Sequence, residues 1–382
     1  MKAHRVYDNW KESIFIKRLN RFTILVELEK DQRINAYLPN TGRLQEHLIP
    51  GHKIFLTKIK TEKFDYKAVA SYYQGSYVFL DTVKLNRMFE LFINNDLLEE
   101  FNHPVLTCRE YTIENHRYDF FIRDRLNNRN LIEIKSCTLC HNHTAMFPDA
   151  PSKRALSHIF HLSGLENLSY KPWIIFLISH SRAERFIPNL HTDPEFTEAL
   201  IKLKNLNIAA FRYEMIDPVT VDLDSLYRIN LDLKSAKDHL TISGSYLLIL
   251  ENHEDINIKI GQLGKISFKK GYYVYIGSAM NGLDQRLNRH HRSLKKKRWH
   301  IDYISPNPMR LIKDFKIRRR DRVEDKIADD LMKIADCYIL NFGSSDSRLK
   351  SQLLFFKKSP LQNQLFIKVN LNYQTFTENL IL

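Results

Sequence analysis

Residues 117–135 read RYDFFIRDRLNNRNLIEIK, two apolar runs joined by a polar segment. Such runs are typical of two neighbouring strands, and the polar segment is typical of a hairpin loop. Because side chains alternate along a strand, Glu133 and Lys135 leave the same face while Ile134 points into the core. Asp119 lies in the first run. The sequence therefore predicts two carboxylates and one lysine close together at the edge of a sheet.

This trio fits the chemistry of metal-dependent phosphodiester cleavage. The carboxylates of Asp119 and Glu133 are hard oxygen ligands for one or two Mg²⁺ or Mn²⁺ ions. The Lys135 ammonium can orient the attacking water or offset charge on the scissile phosphate. A surface strand with an ion pair between neighbouring side chains would give the same pattern. The motif therefore predicts a site, and a reaction needs further support.

Composition predicts a globular protein. The chain has 382 residues, enough for two or three domains, and 43% of them are hydrophobic and 12% aromatic. Its apolar runs are shorter than the roughly 18–20 residues that span a bilayer, so we expect no membrane segment. The basic start, MKAHR, has no apolar core behind it, and the chain has four cysteines. A reducing cytoplasm is therefore the expected location.

The net charge of +14 is unevenly distributed along the chain. Residues 237–382 hold 26 Lys and Arg against 15 Asp and Glu, a balance of +11, whereas residues 1–236 hold 32 against 29, a balance of +3. A positive field of this kind favours a polyanionic partner, and we expect DNA, with RNA as the alternative. A basic but inert solvated surface would give the same count. The sequence indicates no protein partner.

The apolar runs predict three domains of a mixed α/β or α+β class. Residues 1–80 alternate short strand-like runs with polar turns, in an order that fits a small barrel of the oligonucleotide-binding (OB) type. Residues 81–236 alternate between helix and strand and predict a mixed sheet flanked by helices. Residues 237–382 combine strands with a basic helix and an amphipathic helix.

The individual elements follow from the same patterns. The expected helices are Arg43–Ile49, Asn86–Phe101, Ser152–Asn167, Asp193–Asn205, Asp284–Lys297 and Arg322–Ile334. The expected strands are Ile14–Ile16, Phe22–Leu28, Lys53–Leu56, Ala68–Tyr73, Arg117–Ile122, Trp173–Ile178, Ile208–Tyr213, Tyr246–Leu250 and Tyr272–Ile276.

Two segments are candidates for binding phosphate. The turn that contains Asn40 and Arg43 could offer backbone N–H groups and a guanidinium, although an ordinary turn before a helix explains it slightly better. The second segment is a dense cationic stretch that could track a phosphate backbone without base readout or could be a solvated charge run. Its members are Arg286, Arg289, His290, His291, Arg292, Lys295, Lys296, Lys297 and Arg298. Arg318–Arg320 adds a second small basic cluster.

Cys137, Cys140, His141 and His143 invite a metal interpretation. Their spacing matches covalent haem attachment, which needs an exported protein, and it also offers four zinc ligands. Structural zinc sites usually draw two pairs of ligands from more separated segments. We therefore favour two buried or half-exposed thiols that follow the strand of Glu133.

Residues 5–225 resemble the sugar fermentation stimulation protein family. The resemblance rests on LPNTGR at 38–43, RYDF at 117–120, IEIK at 132–135 with Thr138 and Leu139, and FPDAP at 147–151 with Arg154 and His158. It implies an OB-like domain followed by a restriction-endonuclease-like PD-(D/E)xK domain, DNA binding, and a regulatory link to sugar metabolism.

The same resemblance implies roles for individual residues. Asp119, Glu133 and Lys135 fall on the nuclease motif, and Glu90, on the preceding helix, is the candidate for an additional metal carboxylate. The candidate nucleic-acid contacts in this part of the chain are Asn40, Arg43, Arg117, Lys153, Arg154 and His158.

Residues 243–356 resemble GIY-YIG-like nuclease domains. The resemblance rests on GSY at 244–246, YIG at 275–277, GLDQR at 282–286 with His290, and WHIDY at 299–303. It implies that Tyr246, Tyr275 and His290 relay protons, that Arg286 stabilises phosphoryl charge and that Glu324 holds a metal ion. The chain departs from its relatives at Ser347, Leu349 and Gln352, where two cysteines and a histidine are common, so we expect no metal role for that trio.

These observations predict a cytoplasmic, three-domain DNA-binding protein with two nuclease-type sites that use Mg²⁺ or Mn²⁺. A divalent-metal-dependent endonuclease is one hypothesis for its activity. The alternatives are a non-catalytic DNA-binding regulator linked to sugar metabolism and an RNA-binding or RNA-processing factor.

Overall fold

The computed structural model of the protein describes residues 2–29, 31–101, 103–165, 169–343 and 349–380. The chain forms two compact units, Met1–Lys237 and Asp238–Leu382, here called the first and second unit. The finer division into three domains, with a boundary at residue 80, stays a prediction. Among the residues that the structure describes, no helix is both long and apolar enough to cross a membrane.

The first unit is rich in strands. Its strands are β1 (Ala3–Arg5), β2 (Lys11–Asn20), β3 (Thr23–Glu27), β4 (Arg33–Tyr37), β5 (Lys53–Lys58), β6 (Tyr66–Tyr73), β7 (Ser76–Phe79), β8 (Pro104–Ile113), β9 (His116–Asp124), β10 (Arg129–Cys137), β11 (Cys140–His141), β12 (Thr144–Phe147), β13 (Lys171–Ile178), β14 (Arg185–Pro188), β15 (Asn207–Asp217), β16 (Thr220–Arg228) and β17 (Asn230–Leu231). Its helices are α1 (Leu85–Asn94), α2 (Lys153–Gly164) and α3 (Pro194–Lys202), and α4 (Leu233–His239) contains the boundary between the units.

Five strands at the start of the chain close into a barrel. Their order is β4-β3-β2-β5-β6, and a parallel pairing of β4 with β6, at Tyr37 and Lys67, closes the ring. The four strands predicted here are confirmed. The predicted helix Arg43–Ile49 is wrong, because this segment forms turns. Leu44 has a φ of 51°, in the left-handed region, which a right-handed helix does not allow.

A mixed sheet continues from the barrel in the order β7-β15-β13-β10-β9-β8. Strands β10, β13 and β15 run parallel, whereas β9 and β10 form the predicted antiparallel hairpin. On one face, Ile134 packs in a cluster with Phe89 of α1. On the other face, Leu131 packs in a cluster with Ile159 of α2 and Phe196 of α3. The hairpin is therefore held between helical layers, with Ile134 in the core as predicted.

Helices α1 to α3 begin within one residue of the predicted starts, whereas α1 and α3 end earlier than predicted. Ser152 caps α2 by accepting from the Ala155 amide, and Asp193 caps α3 with Pro194 at its first position. Helix α3 ends at Lys202, three residues before the predicted end. The predicted end of α2 lies outside the described residues. Helix α1 ends at Asn94, because Asp96 has a φ of 56°, and a separate 3₁₀ turn follows at Glu99–Phe101.

The second unit is built on an antiparallel sheet of order β22-β18-β21-β24-β23. Its strands are β18 (Gly244–Asn252), β19 (Ile256–Ile260), β20 (Gly264–Phe268), β21 (Gly271–Ala279), β22 (Arg310–Arg318), β23 (Cys337–Tyr338) and β24 (Leu353–Phe356). Its helices are α5 (Leu283–His291), α6 (Glu324–Met332) and α7 (Gln364–Gln374). The predicted strands Tyr246–Leu250 and Tyr272–Ile276 are confirmed.

The basic helix of the second unit is shorter than predicted. The sequence predicts a helix through Lys297, whereas α5 ends at His291 and Arg292 is extended. The carboxylate of Asp302 accepts the backbone amides of Arg298 and Trp299, 2.8 and 3.0 Å away. These bonds fix the following segment in a non-helical course. Strand β22 and helix α7 were not predicted from the sequence.

Candidate active sites

The hairpin of β9 and β10 positions the first predicted carboxylate. Phe120 pairs with Ile132, so Asp119 lies beside the end of the ladder, next to Glu133 and Ile134. The backbone amide of Ile134 donates to Asp119 Oδ2 at 2.7 Å. The side-chain amide of Asn86, on α1, donates to Asp119 Oδ1 at 2.8 Å. Asp119 is therefore fixed by one contact from the neighbouring strand and one from a helix.

Glu133 is the second carboxylate and is 6% exposed. Its Oε1 lies 2.5 Å from Lys135 Nζ and 2.9 Å from His158 Nδ1, which comes from α2. Both contacts use the same oxygen. The other oxygen, Oε2, has no hydrogen-bond partner among the residues that the structure describes. The predicted trio of Asp119, Glu133 and Lys135 is thus brought together, with His158 as a fourth member.

The surroundings shift the pKa values of the two carboxylates in opposite directions. Burial, followed by the nearby charge of Glu133, raises the pKa of Asp119. Burial also acts to raise the pKa of Glu133, but the hydrogen bond from His158 and the charge of Lys135 outweigh it, so that the pKa is lowered. Glu133 is therefore held as an anion, and Asp119 gains from any added positive charge.

The donor set fits a hard divalent cation. Such ions take carboxylate oxygens and keep several waters, and Mg²⁺ commonly uses one or two carboxylates. Asp119 and Glu133 supply two carboxylates, and Glu133 Oε2 is available for a cation. In the described part of the chain, no group of three or more His, Cys, Asp or Glu side chains is gathered to hold a metal ion.

Glu90, the predicted additional carboxylate, does not join this pair. It forms an ion pair with Arg109 on β8, with 3.3 Å between Oε1 and the Arg109 Nε. Asn86, one turn earlier on α1, contacts Asp119 instead. The sequence placed a carboxylate on the right helix but one turn too late, because the packing angle of α1 decides which turn reaches the site.

Two histidines near His158, His116 and His161, were not predicted as part of the site from the sequence. The rings of His116 and His161 stack with centroids 3.6 Å apart, and His161 Nδ1 contacts the Tyr118 hydroxyl. The ring centroids of His158 and His116 are 6.2 Å apart. A usable signal was present, since His158 and His161 are three apart on α2 and therefore share a face.

The turn at Asn40 does not offer its amides to a phosphate. Asn40 Oδ1 accepts the Gly42 amide at 2.8 Å, and Asp149 Oδ2 accepts the Leu44 amide at 3.3 Å. Arg18 donates to the Gly42 carbonyl at 2.5 Å. The Gly42 and Leu44 amides therefore already have partners within the protein. The Arg43 guanidinium stays a candidate contact.

The other predicted contacts of the first unit lie at the surface. Lys153 and Arg154 are exposed in the first turn of α2. Arg117 is exposed and lies 3.6 Å from Glu110. Their role in nucleic-acid binding stays a prediction, whereas His158 has a contact of its own with Glu133.

The cysteine and histidine cluster has contacts that do not involve a metal. The Cys137 thiol donates to the Met146 carbonyl at 3.3 Å, and His143 Nδ1 lies 2.8 Å from the Arg182 carbonyl. His141 Nδ1 lies 2.8 Å from the Tyr73 hydroxyl. Cys137 and Cys140 are buried free thiols, which was the favoured interpretation.

The second unit contains a separate cavity of about 370 Å³. Four predicted residues, Tyr246, Tyr275, Arg286 and Glu324, line it. Arg298, a member of the predicted cationic stretch, also lines it, together with Ser278, Trp299, His300, Arg322 and Asp325. The cavity is therefore bordered by arginine side chains and by the start of α6.

Glu324 is the carboxylate of this cavity that best fits a cation. Its Oε1 accepts the Ser278 hydroxyl at 2.6 Å, while its Oε2 is buried and has no hydrogen-bond partner in the described structure. A buried carboxylate oxygen without a partner is costly unless a cation or an ordered water meets it. The Arg286 guanidinium lies 4.1 Å from the centroid of the Trp299 ring, beside the cavity.

His290 lies behind this cavity and is completely buried. Its Nε2 lies 2.9 Å from the Tyr246 hydroxyl, and its Nδ1 has no partner among the described residues. Burial, followed by the charge of Lys295, lowers the pKa of His290 to about 3. Burial, opposed by Arg286, raises the pKa of Tyr246 to about 12. Both groups are therefore neutral at pH 7.

The cationic stretch after α5 is only partly available to a ligand. Arg289 binds Asp302 through two bonds of 2.8 Å, and Lys295 Nζ lies 3.7 Å from the same carboxylate. Their predicted role in binding phosphate is therefore replaced by an internal ion pair. Arg292, Lys296 and Lys297 are exposed. Their role in binding phosphate stays a prediction.

The Arg318–Arg320 cluster and the positions at which the chain departs from the GIY-YIG-like pattern remain to be placed. Arg318 is buried and pairs with Asp284, 2.7 Å away, so the Arg318–Arg320 cluster is not a free surface patch. Ser347 lies outside the described residues. Gln352 lines the cavity of the second unit.

Three family models match the chain. The SfsA N-terminal OB domain matches residues 16–80, the sugar fermentation stimulation protein RE domain matches residues 84–217, and the domain of unknown function DUF123 matches residues 245–373.

Individual relatives match the first part of the chain. A sugar fermentation stimulation protein homolog of Natranaerobius thermophilus is 34% identical over 54% of this chain and 88% of its own length. The homolog of Aquifex aeolicus is 38% identical over 49% of this chain and 82% of its own length. Among solved structures, SfsA of Pyrococcus furiosus in complex with Ca²⁺ is 26% identical, has a TM-score of 0.55, and is matched over 60% of this chain and 99% of its own.

The buried His290 gives a pH-dependence with a defined sign. An exposed histidine takes up a proton near pH 6.5, whereas His290 does so only at about pH 3 in the folded protein. The unfolded chain therefore binds more protons between these values, and the stability of the second unit should be full above pH 6.5 and fall as the pH drops. NMR titration of labelled histidine side chains should find His290 neutral at pH 5, with the resonance identified by its loss in His290→Gln. A midpoint between pH 6 and 7 would contradict the buried arrangement.

Proposed function

The chain belongs to the sugar fermentation stimulation protein family, and we propose that its first unit binds a nucleic acid and hydrolyses phosphodiester bonds with a divalent metal ion. The observation that carries the proposal is the pair formed by Asp119 and Glu133, with Lys135 on the same carboxylate. The pair lies on β9 and β10, which are inner strands of the sheet and not its predicted edge, and this donor set suits a metal-dependent phosphodiesterase.

Asp119 and Glu133 would hold the metal ion. The Ile134 amide and the Asn86 side chain already orient Asp119, and Lys135 with His158 leaves one oxygen of Glu133 available. The relative from Pyrococcus furiosus was solved in complex with Ca²⁺, another hard cation with the same preference for oxygen ligands. We infer that Mg²⁺ or Mn²⁺ is the working ion.

The bound ion would polarise the scissile phosphate and lower the pKa of an attacking water. Lys135, 2.5 Å from Glu133 and only partly buried, is placed to donate to that water or to a phosphate oxygen. His158 holds Glu133 from the opposite element, α2, and keeps the carboxylate from rotating. The two metal-binding carboxylates and the Lys135 ammonium would therefore act together as one positioned group.

The barrel and the surface cations would hold the polymer. Arg117, Lys153 and Arg154 are exposed, and contacts of such residues to phosphates give affinity without base readout. DNA is the proposed polymer, and RNA is tested beside it because an OB-type barrel accepts single strands of either kind.

Cleavage by the first unit is tested with purified full chain that carries Glu324→Gln, so that the second unit is silent. With Mg²⁺ or Mn²⁺, at least one of single-stranded DNA, double-stranded DNA and RNA should be cut, and EDTA should stop the reaction. Adding Glu133→Gln should lower the rate by on the order of 10²-fold or more, because one metal ligand is lost.

The matched control for that substitution is Glu198→Gln, which removes an exposed carboxylate on α3. It should leave the rate unchanged. If every polymer stays intact in each metal, or if the Glu133→Gln and Glu198→Gln proteins cut equally well, the first unit has no such activity. A non-catalytic nucleic-acid-binding protein is then the remaining reading of this site.

A second candidate activity is favoured by the buried oxygen of Glu324. Glu324 Oε2 lies without a partner beside a cavity lined by Tyr246, Tyr275 and Arg286. We infer a second metal-dependent phosphodiesterase site of the GIY-YIG type. Glu324 would hold the ion, Arg286 would meet the phosphate, and Tyr246, in contact with His290, would carry the proton of the attacking water.

This second site is tested in the Glu133→Gln background. Any remaining metal-dependent cleavage should fall by on the order of 10²-fold on Glu324→Gln, because the only carboxylate assigned to the ion is lost. Asp329→Asn, an exposed carboxylate on the same helix, is the control and should have no effect. Equal residual rates in the Glu324→Gln and Asp329→Asn proteins would exclude the assignment.

A further inference from the structure

A cleft of about 270 Å³ opens beside the carboxylate pair of the first unit. Lys135 forms one of its walls, which places the cleft next to the proposed reaction site. The barrel contributes the turn at residues 40–42, and the segment at residues 146–152, which leads into α2, contributes the opposite wall. No part of the proposed reaction uses this space.

The walls of the cleft are fixed in position. Arg18 donates to the carbonyls of Asn40 and Gly42, 3.1 and 2.5 Å away, and Asp149 accepts the Leu44 amide. A methyl group added at Gly42 would lie 2.3 Å from Asp149 Oδ2, so the two walls touch at this point. The opening therefore has a set width and is not an adjustable groove.

The lining suits a nucleoside. Accessible apolar surface comes from Phe147, Ala150 and Pro151, which can pack against the face of a base. Polar groups come from the Asn40 side chain and Thr41. The Asn40 side-chain oxygen is taken by the Gly42 amide, while its nitrogen has no partner among the described residues. A base edge could therefore be met by an N–H donor.

Charge also favours a nucleotide over an uncharged ligand. Lys135 lies at the inner end of the cleft, and Arg21 lies on its lining with an exposed guanidinium. The carboxylate in the lining, Asp149, is buried and accepts the Leu44 amide, and burial raises its pKa. Arg21 therefore offers an exposed cation to a phosphate beside the nucleoside, while Lys135 keeps its ion pair with Glu133.

We propose that this cleft takes one unpaired nucleotide adjacent to the scissile phosphate, so that the substrate of the first unit is single-stranded or locally unpaired at that point. The placement of the scissile phosphate rests on the proposed function. A space of this size holds one nucleoside and has no room for a base pair, and the contact of Asp149 with the Leu44 amide joins its two walls. A perfect duplex must therefore unstack a nucleotide before it fits.

The inference is tested by binding in EDTA, where cleavage does not interfere. Fluorescence anisotropy compares a single-stranded DNA, the matched duplex, and the same duplex with one central unpaired nucleotide. The single strand and the interrupted duplex should bind roughly tenfold or more tightly than the perfect duplex, which has to open. Matched RNA strands in parallel assign the polymer, and either polymer supports the proposal if the unpaired form binds better.

Thr41→Trp is the decisive variant, because Thr41 is exposed and its enlarged side chain would fill the cleft. It should remove the preference for the unpaired form. Thr112→Trp adds the same bulk at an exposed position of β8 outside the cleft lining and should keep the preference. If Thr41→Trp lowers the melting temperature, Thr41→Glu replaces it, since a negative charge in the cleft repels the phosphates with far less added bulk.

Equal binding of paired and unpaired forms by the wild type, or an unchanged preference in both Thr41 variants, would overturn the inference. Failure of the proposed function is a separate result. In that case no polymer is cut in Mg²⁺ or Mn²⁺, yet the preference in EDTA and its loss in Thr41→Trp can still be measured.

Discussion

The hydrogen bond from the Ile134 amide to the Asp119 carboxylate is the contact on which the first site depends. It joins β9 to β10 beyond the last ladder pair and fixes Asp119 next to Glu133. Because side chains alternate along β10, the same register buries Ile134 and turns Glu133 and Lys135 to the opposite face. A register slip of one residue would reverse this arrangement and disperse the site.

The helices on the two faces of the sheet also hold the carboxylates of the hairpin in place. Asn86 of α1 reaches Asp119, and His158 of α2 reaches Glu133, so each carboxylate has a second anchor from a different layer. The hydrogen bond from His158 and the charge of Lys135 lower the pKa of Glu133, while burial raises the pKa of Asp119. The two neighbouring carboxylates therefore differ in pKa, and a bound cation would favour the charged form of Asp119 as well as that of Glu133.

Much of the strand content could be predicted from the sequence, because alternation and β-branched runs are local signals. The trio of Asp119, Glu133 and Lys135 was predictable for the same reason. Helix ends were less predictable, since the segment after α5 is held in a non-helical course by contacts with the Asp302 carboxylate. The choice of Asn86 over Glu90 depends on how α1 packs. Spacing alone does not encode such contacts.

The most direct measurement of the central claim is the position of a bound metal. Crystals of the full chain grown with Mn²⁺, measured at a wavelength with strong manganese anomalous scattering, locate the ion without reference to activity. The account predicts an anomalous peak in contact with carboxylate oxygens of both Asp119 and Glu133. Manganese bound elsewhere in the first unit, with none at this pair, would contradict it.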